Sequence, residues 1–146
     1  MEPVTVTVEV AKPRQEVFDF LDLLANHESF MDHLFTDWEF SGPRRGVGAK
    51  ARVRQNAPGS QDHTEFEVVE VAPDRIVEEG VGAKGRRRTR GTYRLEELPG
   101  GGTRISFELA WIEAPRGDRM IPFMTRAFVR RANGRGMRRL AKQLDG

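Results

Sequence analysis

At 146 residues, with 24 Lys and Arg against 22 Asp and Glu for a net charge of +2, the chain has the size of one domain, expected over 1–146, with enough buried surface to fold without staples. It has no cysteine, which excludes a disulfide framework, a thiolate metal site and a thiol nucleophile. Nothing at the N-terminus has the order of a signal peptide and no apolar run approaches the roughly 20 residues of a membrane span, so a soluble, cytoplasmic protein is expected.

Val4, Val6, Val8 and Val10 alternate with threonine and glutamate and predict a first strand. Pro13 suits the first turn of a helix, and Val17, Phe18, Leu21 and Leu24 recur at the spacing of one helical face. A second short helix is predicted from about His27 to Leu34, where Phe30, Met31 and Leu34 repeat that pattern. Strand signals resume at Asp37 to Phe40, and Gly42-Pro43 with Gly46 and Gly48 marks a turn. Ala49, Ala51 and Val53 then alternate with Lys50, Arg52 and Arg54 until Ala57-Pro58-Gly59-Ser60 breaks the strand. Thr64 to Val71, the turn Ala72 to Arg75, and Ile76 to Val81 follow. Across Phe66, Val68, Val69 and Val71 the apolar phase slips by one residue, which predicts a β-bulge or a twist.

Between Arg86 and Ile112 two long strands surround the turn Leu98 to Thr103, whose glycines supply the positive φ of a tight hairpin. Tyr93 and Leu95 share one face, as do Ile105, Phe107, Leu109 and Trp111, and those faces must be buried. Pro122 opens a last long helix with Phe123, Met124, Ala127, Phe128, Met137, Leu140, Ala141 and Leu144 on its apolar stripe. Gly134 and Gly136 predict a weak point or kink midway. The order is strand, two short helices, six strands, long helix.

A long sheet with one substantial helix to cover it tends to enclose a hollow, so a small-molecule pocket is the first functional expectation. Its candidate walls on the strands are Ala51, Val53, Phe66, Val68, Leu109 and the aromatics Tyr93, Phe107 and Trp111, with Gln55 and Thr89 as polar positions in phase. Phe123, Met124 and Phe128 are the candidates on the helix. The plainer account of each aromatic is core packing. Arg87, in phase with Thr89 and Tyr93, is an expensive buried charge unless it meets a carboxylate or a ligand oxygen; otherwise it sits at a strand end and reaches water. His27 is either a polar residue at a helix junction or an acid or base near the cavity. The direction of Glu65 and Glu67 stays open across the bulge.

His27, His33 and His63 fit no metal motif, and neither a metal nor a cofactor is expected. From Arg116 to Lys142 there are nine Lys or Arg and one acid, Asp118. This basic face is either solvated or a local attractor of anionic partners; no nucleic-acid motif accompanies it, and nucleic acid is not an expected partner.

The chain resembles the START-like superfamily, the polyketide cyclase/dehydrase and lipid-transport group with the birch-pollen-allergen helix-grip fold. The resemblance rests on the opening valine strand, Pro13 with Val17 to Leu21, the Asn26-His27 step, Gly48, the segment Val69 to Val77, and Gly91 to Leu95 followed by the Leu98 to Thr103 turn. It implies an α+β fold: a curved seven-stranded antiparallel sheet wrapped around a long C-terminal helix, with two short helices after the first strand. It also implies a cavity for a small hydrophobic or aromatic molecule, polyketide or lipid-like, in a monomer or homodimer. Catalysis, if present, would be cofactor-free cyclisation or dehydration, with Arg87 or Tyr93 polarising a ketone or holding an enolate. The alternative is a non-enzymatic lipid-transfer protein, or a module that uses the basic helix against a protein or a membrane.

Overall fold

Seven segments with strand periodicity, each joined to the next along one sheet, pair antiparallel throughout in the computed structural model, which describes residues 1–56 and 62–146. The predicted break at Ala57 to Ser60 lies outside the described residues. The strands are β1 (Val4–Val10), β2 (Phe35–Ser41), β3 (Lys50–Gln55), β4 (His63–Ala72), β5 (Arg75–Gly82), β6 (Arg87–Glu97) and β7 (Thr103–Glu113), in spatial order β1-β7-β6-β5-β4-β3-β2. The first and second strands are therefore the two edges. Between them the chain crosses through α1 (Arg14–Asp22), a 3₁₀ turn (Leu24–His27) and α2 (Glu28–Met31). After β7 come a short α3 (Arg116–Met120) and the long α4 (Pro122–Asp145). This is the helix-grip arrangement of the α+β class.

Register follows from the turns. Gly100 and Gly101 take φ of 96° each, which closes the β6–β7 hairpin and sets Tyr93 opposite Phe107 and Leu95 opposite Ile105. On its other side Tyr93 faces Ile76 of β5. The predicted phase slip in β4 is a bulge at Val69: Val68 pairs with Glu78, and Glu70 with Val77. Before the bulge, Glu65 and Glu67 are exposed, while Thr64 and Val68 are buried and Phe66 half-buried on the opposite face. The open direction of the two glutamates is thus outward.

The second helix is shorter than predicted. The apolar repeat is real, since Phe30 and Met31 are buried, but a backbone hydrogen bond from Leu34 N to Met31 O turns the chain out of the helix toward β2. The five residues of α3 have no apolar repeat and gave no sequence signal.

Contrary to expectation, α4 runs unbroken through Gly134 and Gly136 for 24 residues. Gly136 serves close approach instead: a Cβ there would fall on Met31 Sδ and lie 3.2 Å from the Phe30 carbonyl oxygen. The same contact is clamped by polar groups. His33 Nε2 donates to Ala132 O (2.8 Å), Arg139 Nη1 donates to His33 Nδ1 (2.9 Å) and Nη2 to Ser29 O (2.9 Å), and Arg139 pairs with Asp32 (2.6 Å). From this clamp onward α4 closes the core with Met137, Leu140 and Leu144, against Leu21, Phe30 and Ile105 among others. No residue of α4 before Asn133 is buried. Among the described residues no helix is long and apolar enough to cross a membrane.

The two helix glycines should respond to alanine with opposite signs in urea denaturation. Gly136→Ala overpacks a fixed contact and is expected to cost about 1–3 kcal/mol, while Gly134→Ala, which meets only the flexible tip of Arg138, should gain up to about 1 kcal/mol. Equal shifts in both would mean that α2 does not hold α4 at Gly136.

Candidate ligand cavity

The inner face of the sheet carries small residues at the cavity: Ala51 on β3, Gly80 on β5 and Gly91 on β6. A Cβ at Gly91 would lie 2.9 Å from the Phe107 ring and 3.2 Å from Glu78 Cγ; one at Gly80 would lie 2.8 Å from Thr89 Oγ1 and 3.0 Å from the Phe66 ring. Neighbouring rings thus lie over these glycines, and between this face and the half of α4 that does not reach the core is a cavity of about 450 Å³.

Ala51, Gln55, Phe66, Thr89 and Tyr93 line it from the sheet, together with Phe107, Leu109 and Trp111. Met124 and Phe128 line it from α4. Three expected wall residues do not. Val53 and Val68 are on the inner face but packed into solid structure, with 0% and 4% exposure. Phe123 is 89% exposed, because Met124 and Phe128, one turn apart, take the cavity side of α4 and Phe123 is rotated about 100° away from Met124. The three catalytic candidates, Arg87, Tyr93 and His27, all line the cavity.

At one end, all three nitrogens of the Arg87 guanidinium donate. Its Nε and Nη2 donate to the two carboxylate oxygens of Asp118 (2.8 and 3.0 Å) and its Nη1 donates to Gln55 Oε1 (3.2 Å). The fork is bidentate and little exposed, so it joins β6, α3 and β3 across the opening. Arg87 neither frays into water nor presents a free guanidinium. Thr125 Oγ1 donates to Asp118 O (3.1 Å), which ties α3 to the first turn of α4.

At the other end are His27, Tyr93 and Glu78. His27 Nε2 lies 2.7 Å from the Leu21 carbonyl, which can only accept, so the proton is on Nε2 and Nδ1 of the neutral ring is an acceptor. Burial outweighs that hydrogen bond and pulls the His27 pKa down to about 4, so the ring is neutral near pH 7. Its centroid is 5.4 Å from Tyr93, edge to face, and Tyr93 is 4.4 Å from Phe107. Burial first, and then the charge of Glu78, push the Tyr93 phenol well up, so it remains a protonated donor.

Glu78 is the residue that sequence reasoning missed. It lies across from Gly91 in the register, on the inward phase of β5 set by Ile76 opposite Tyr93. Its remaining exposed surface is that of a cavity-lining side chain, and burial alone raises its carboxyl pKa to about 7. The available signal was the short turn at Pro73-Asp74, which pairs Ile76 with Val71 and so starts β5 with Ile76 inward, putting Glu78 inside and Glu79 outside. Asp118 was noticed only as a lone acid. Asn133, buried and lining the cavity from α4, gave no signal. Among the described residues no group of three or more His, Asp or Glu is placed to hold a metal ion.

His27 and Glu78 should tilt the pH profile of stability in opposite directions. The contribution of His27 is present above pH 6.5, where the unfolded ring is neutral too, and is lost as pH falls toward about 4, by up to about 3 kcal/mol. The contribution of Glu78 is present below pH 4.5 and is lost as pH rises toward about 7. Urea midpoints followed from about pH 4 to pH 8 should therefore fall more steeply toward acid in Glu78→Gln than in the parent, and more steeply toward neutrality in His27→Gln. Three parallel profiles would contradict this placement of the two groups.

The sequence model of the family described as polyketide cyclase / dehydrase and lipid transport matches residues 1–145. No curated protein matches the chain. The Zhui aromatase/cyclase from a Streptomyces species is similar in structure, with a TM-score of 0.76 at 16% identity over 98% of this chain and 93% of that one. The protein TTHA0849 from Thermus thermophilus gives 0.74 at 15% identity over 98% and 97%, and Ara h 8.0201 gives 0.70 at 12% identity over 98% and 97%. Such identities speak for the fold alone. With the family match spanning nearly every residue and the helix-grip architecture shared with these neighbours, the chain belongs to the START-like polyketide cyclase / dehydrase and lipid transport family.

Proposed function

We propose that this protein binds a small apolar or aromatic molecule between the inner face of the sheet and the first half of α4. The observation that carries the reading is a cavity of about 450 Å³ with a mainly apolar surface, walled by Phe66, Phe107, Leu109 and Trp111 among others, and with polar groups gathered around Arg87 at one end and Glu78 at the other. Family membership supports a hydrophobic ligand. Binding is favoured over turnover for one reason: Arg87, the group in position to polarise a ketone, is committed to Asp118 and Gln55. Cyclisation or dehydration would fall instead to Tyr93 as donor and Glu78 as proton acceptor.

Leu109→Trp, at a half-buried wall position beside the core, should fill the cavity. The expected result, by titration with a neutral naphthalene-frame probe, is micromolar binding by the parent and at least a tenfold loss in the variant, with thermal unfolding little changed. No binding by the parent, or equal binding by both, would remove the cavity as the ligand site.

One further observation favours exchange of the ligand at a membrane. Met120, Ile121, Phe123 and Met124 are all exposed, and Ile121 and Met124 also line the cavity, so the opening has an apolar rim. Exposed Arg116, Arg119, Arg130 and Arg131 surround this rim in sequence, a composition suited to anionic lipid. Sedimentation with phosphatidylserine-containing vesicles should carry the protein down, and Met120→Ser with Phe123→Ser should reduce this about tenfold. Equal partition onto uncharged vesicles, or none onto either, would overturn exchange at an anionic membrane.

A further inference from the structure

We propose that the ligand carries a protonated amine and that Glu78 holds it. This rests on the reading of the cavity as a ligand site and names the chemistry of what enters it.

The charge inventory of the walls leads there. Four side chains lining the cavity can carry charge near neutrality or close to it: Arg87, Asp118, Glu78 and His27. Arg87 and Asp118 neutralise each other in a bidentate pair. His27 donates from Nε2 to the Leu21 carbonyl and is neutral. Glu78 makes no hydrogen bond or ion pair among the described residues, and its only perturbing influence is burial. The cavity therefore holds one carboxyl with no counter-charge. In its ionised form that carboxyl is costly in apolar surroundings, and a cation brought by the ligand offsets the cost.

The neighbours of Glu78 suit the same guest. Gly91, opposite it in the register, leaves its carboxyl arm unobstructed by a side chain there, with Glu78 Cγ only 3.2 Å from the place a Cβ would take. Nδ1 of His27, in the assigned tautomer, is a hydrogen-bond acceptor. Tyr93 and Phe107, 4.4 Å apart, provide aromatic surface beside it of the kind that attracts ammonium groups. The walls thus present acceptors and π-faces at this end, and the guanidinium at the other end is already paired. An anionic ligand finds no free cation among the described residues lining the cavity. A cationic one finds its counter-charge.

The test uses three probes with one aromatic frame: 1-naphthylmethylamine, 1-naphthylmethanol and 1-naphthylacetate, titrated slightly above neutral pH. The parent should bind the amine at least about tenfold more tightly than the alcohol, and the acetate most weakly of the three. Glu78→Gln, which keeps the side-chain shape and removes the charge, should abolish the amine's advantage over the alcohol, the amine's affinity falling far more than the alcohol's. The parent's own order of affinities is a measurement that needs no variant. If amine and alcohol bind equally to the parent, or if the preference for the amine survives in Glu78→Gln, this inference is overturned while the cavity as a ligand site stands. If none of the three binds, both fall.

Discussion

Two helices can bring their backbones into contact only where one of them has no Cβ, and α4 meets α2 at such a place, with Gly136 against Met31 and the Phe30 carbonyl. The guanidinium of Arg139, shared among His33, Asp32 and Ser29, holds the two helices at that separation. Two further ties fix the course of α4 against the β1 edge: Arg126 donates to the Glu2 and Pro3 carbonyls, and the Ala11 N–H donates to Asp145 Oδ1. Beyond the clamp, Met137, Leu140 and Leu144 reach the core; before it, Met124 and Phe128 stand over space. The cavity is thus the consequence of a helix held low at its end and unfilled at its start, over strands whose inward positions are Ala51, Gly80 and Gly91.

That emptiness has an electrostatic cost and a use. Removing water from around Glu78 and His27 disfavours the charged form of each, so the carboxyl titrates near neutrality and the imidazole does not. The two shifts have opposite effects on folding as pH changes, so a nearly flat profile in the parent would conceal two titrations. A fold selected for stability alone would place aliphatic residues at both positions. Keeping a carboxyl here, with burial its only perturbation, lowers stability above about pH 5, and it is such a site that function accounts for better than folding does.

Much of this was legible before any coordinates. Period-two alternation located the strands of the sheet, the glycines at 100 and 101 pinned the last hairpin, and one-residue slippage across Val68 and Val69 marked the bulge. What could not be read was anything that depends on two distant segments meeting. Gly136 looked like a helix weakness because the sequence does not display α2 lying against it. Phe123 looked like wall because an apolar stripe does not reveal how far round the helix the sheet extends. Glu78 was hidden by its neighbour: Glu78-Glu79 reads as a pair of surface acids until β5 is paired with β6, after which Glu79 meets Arg90 outside and Glu78 faces Gly91 inside.

Asp118 shows the same limit from the other side. A single acid among nine basic residues is improbable as decoration, and Arg87 was already expected to need a carboxylate; joining the two required only that α3 fold back over the end of β6. That pair puts a neutral unit on the cavity wall and occupies the one guanidinium among the described lining residues that could have received an anion. The polarity of the cavity is therefore set at its mouth. At the other end the carboxyl of Glu78 has no ion-pair partner among the described residues, and a molecule that fills the space either brings a positive charge to it or leaves it protonated.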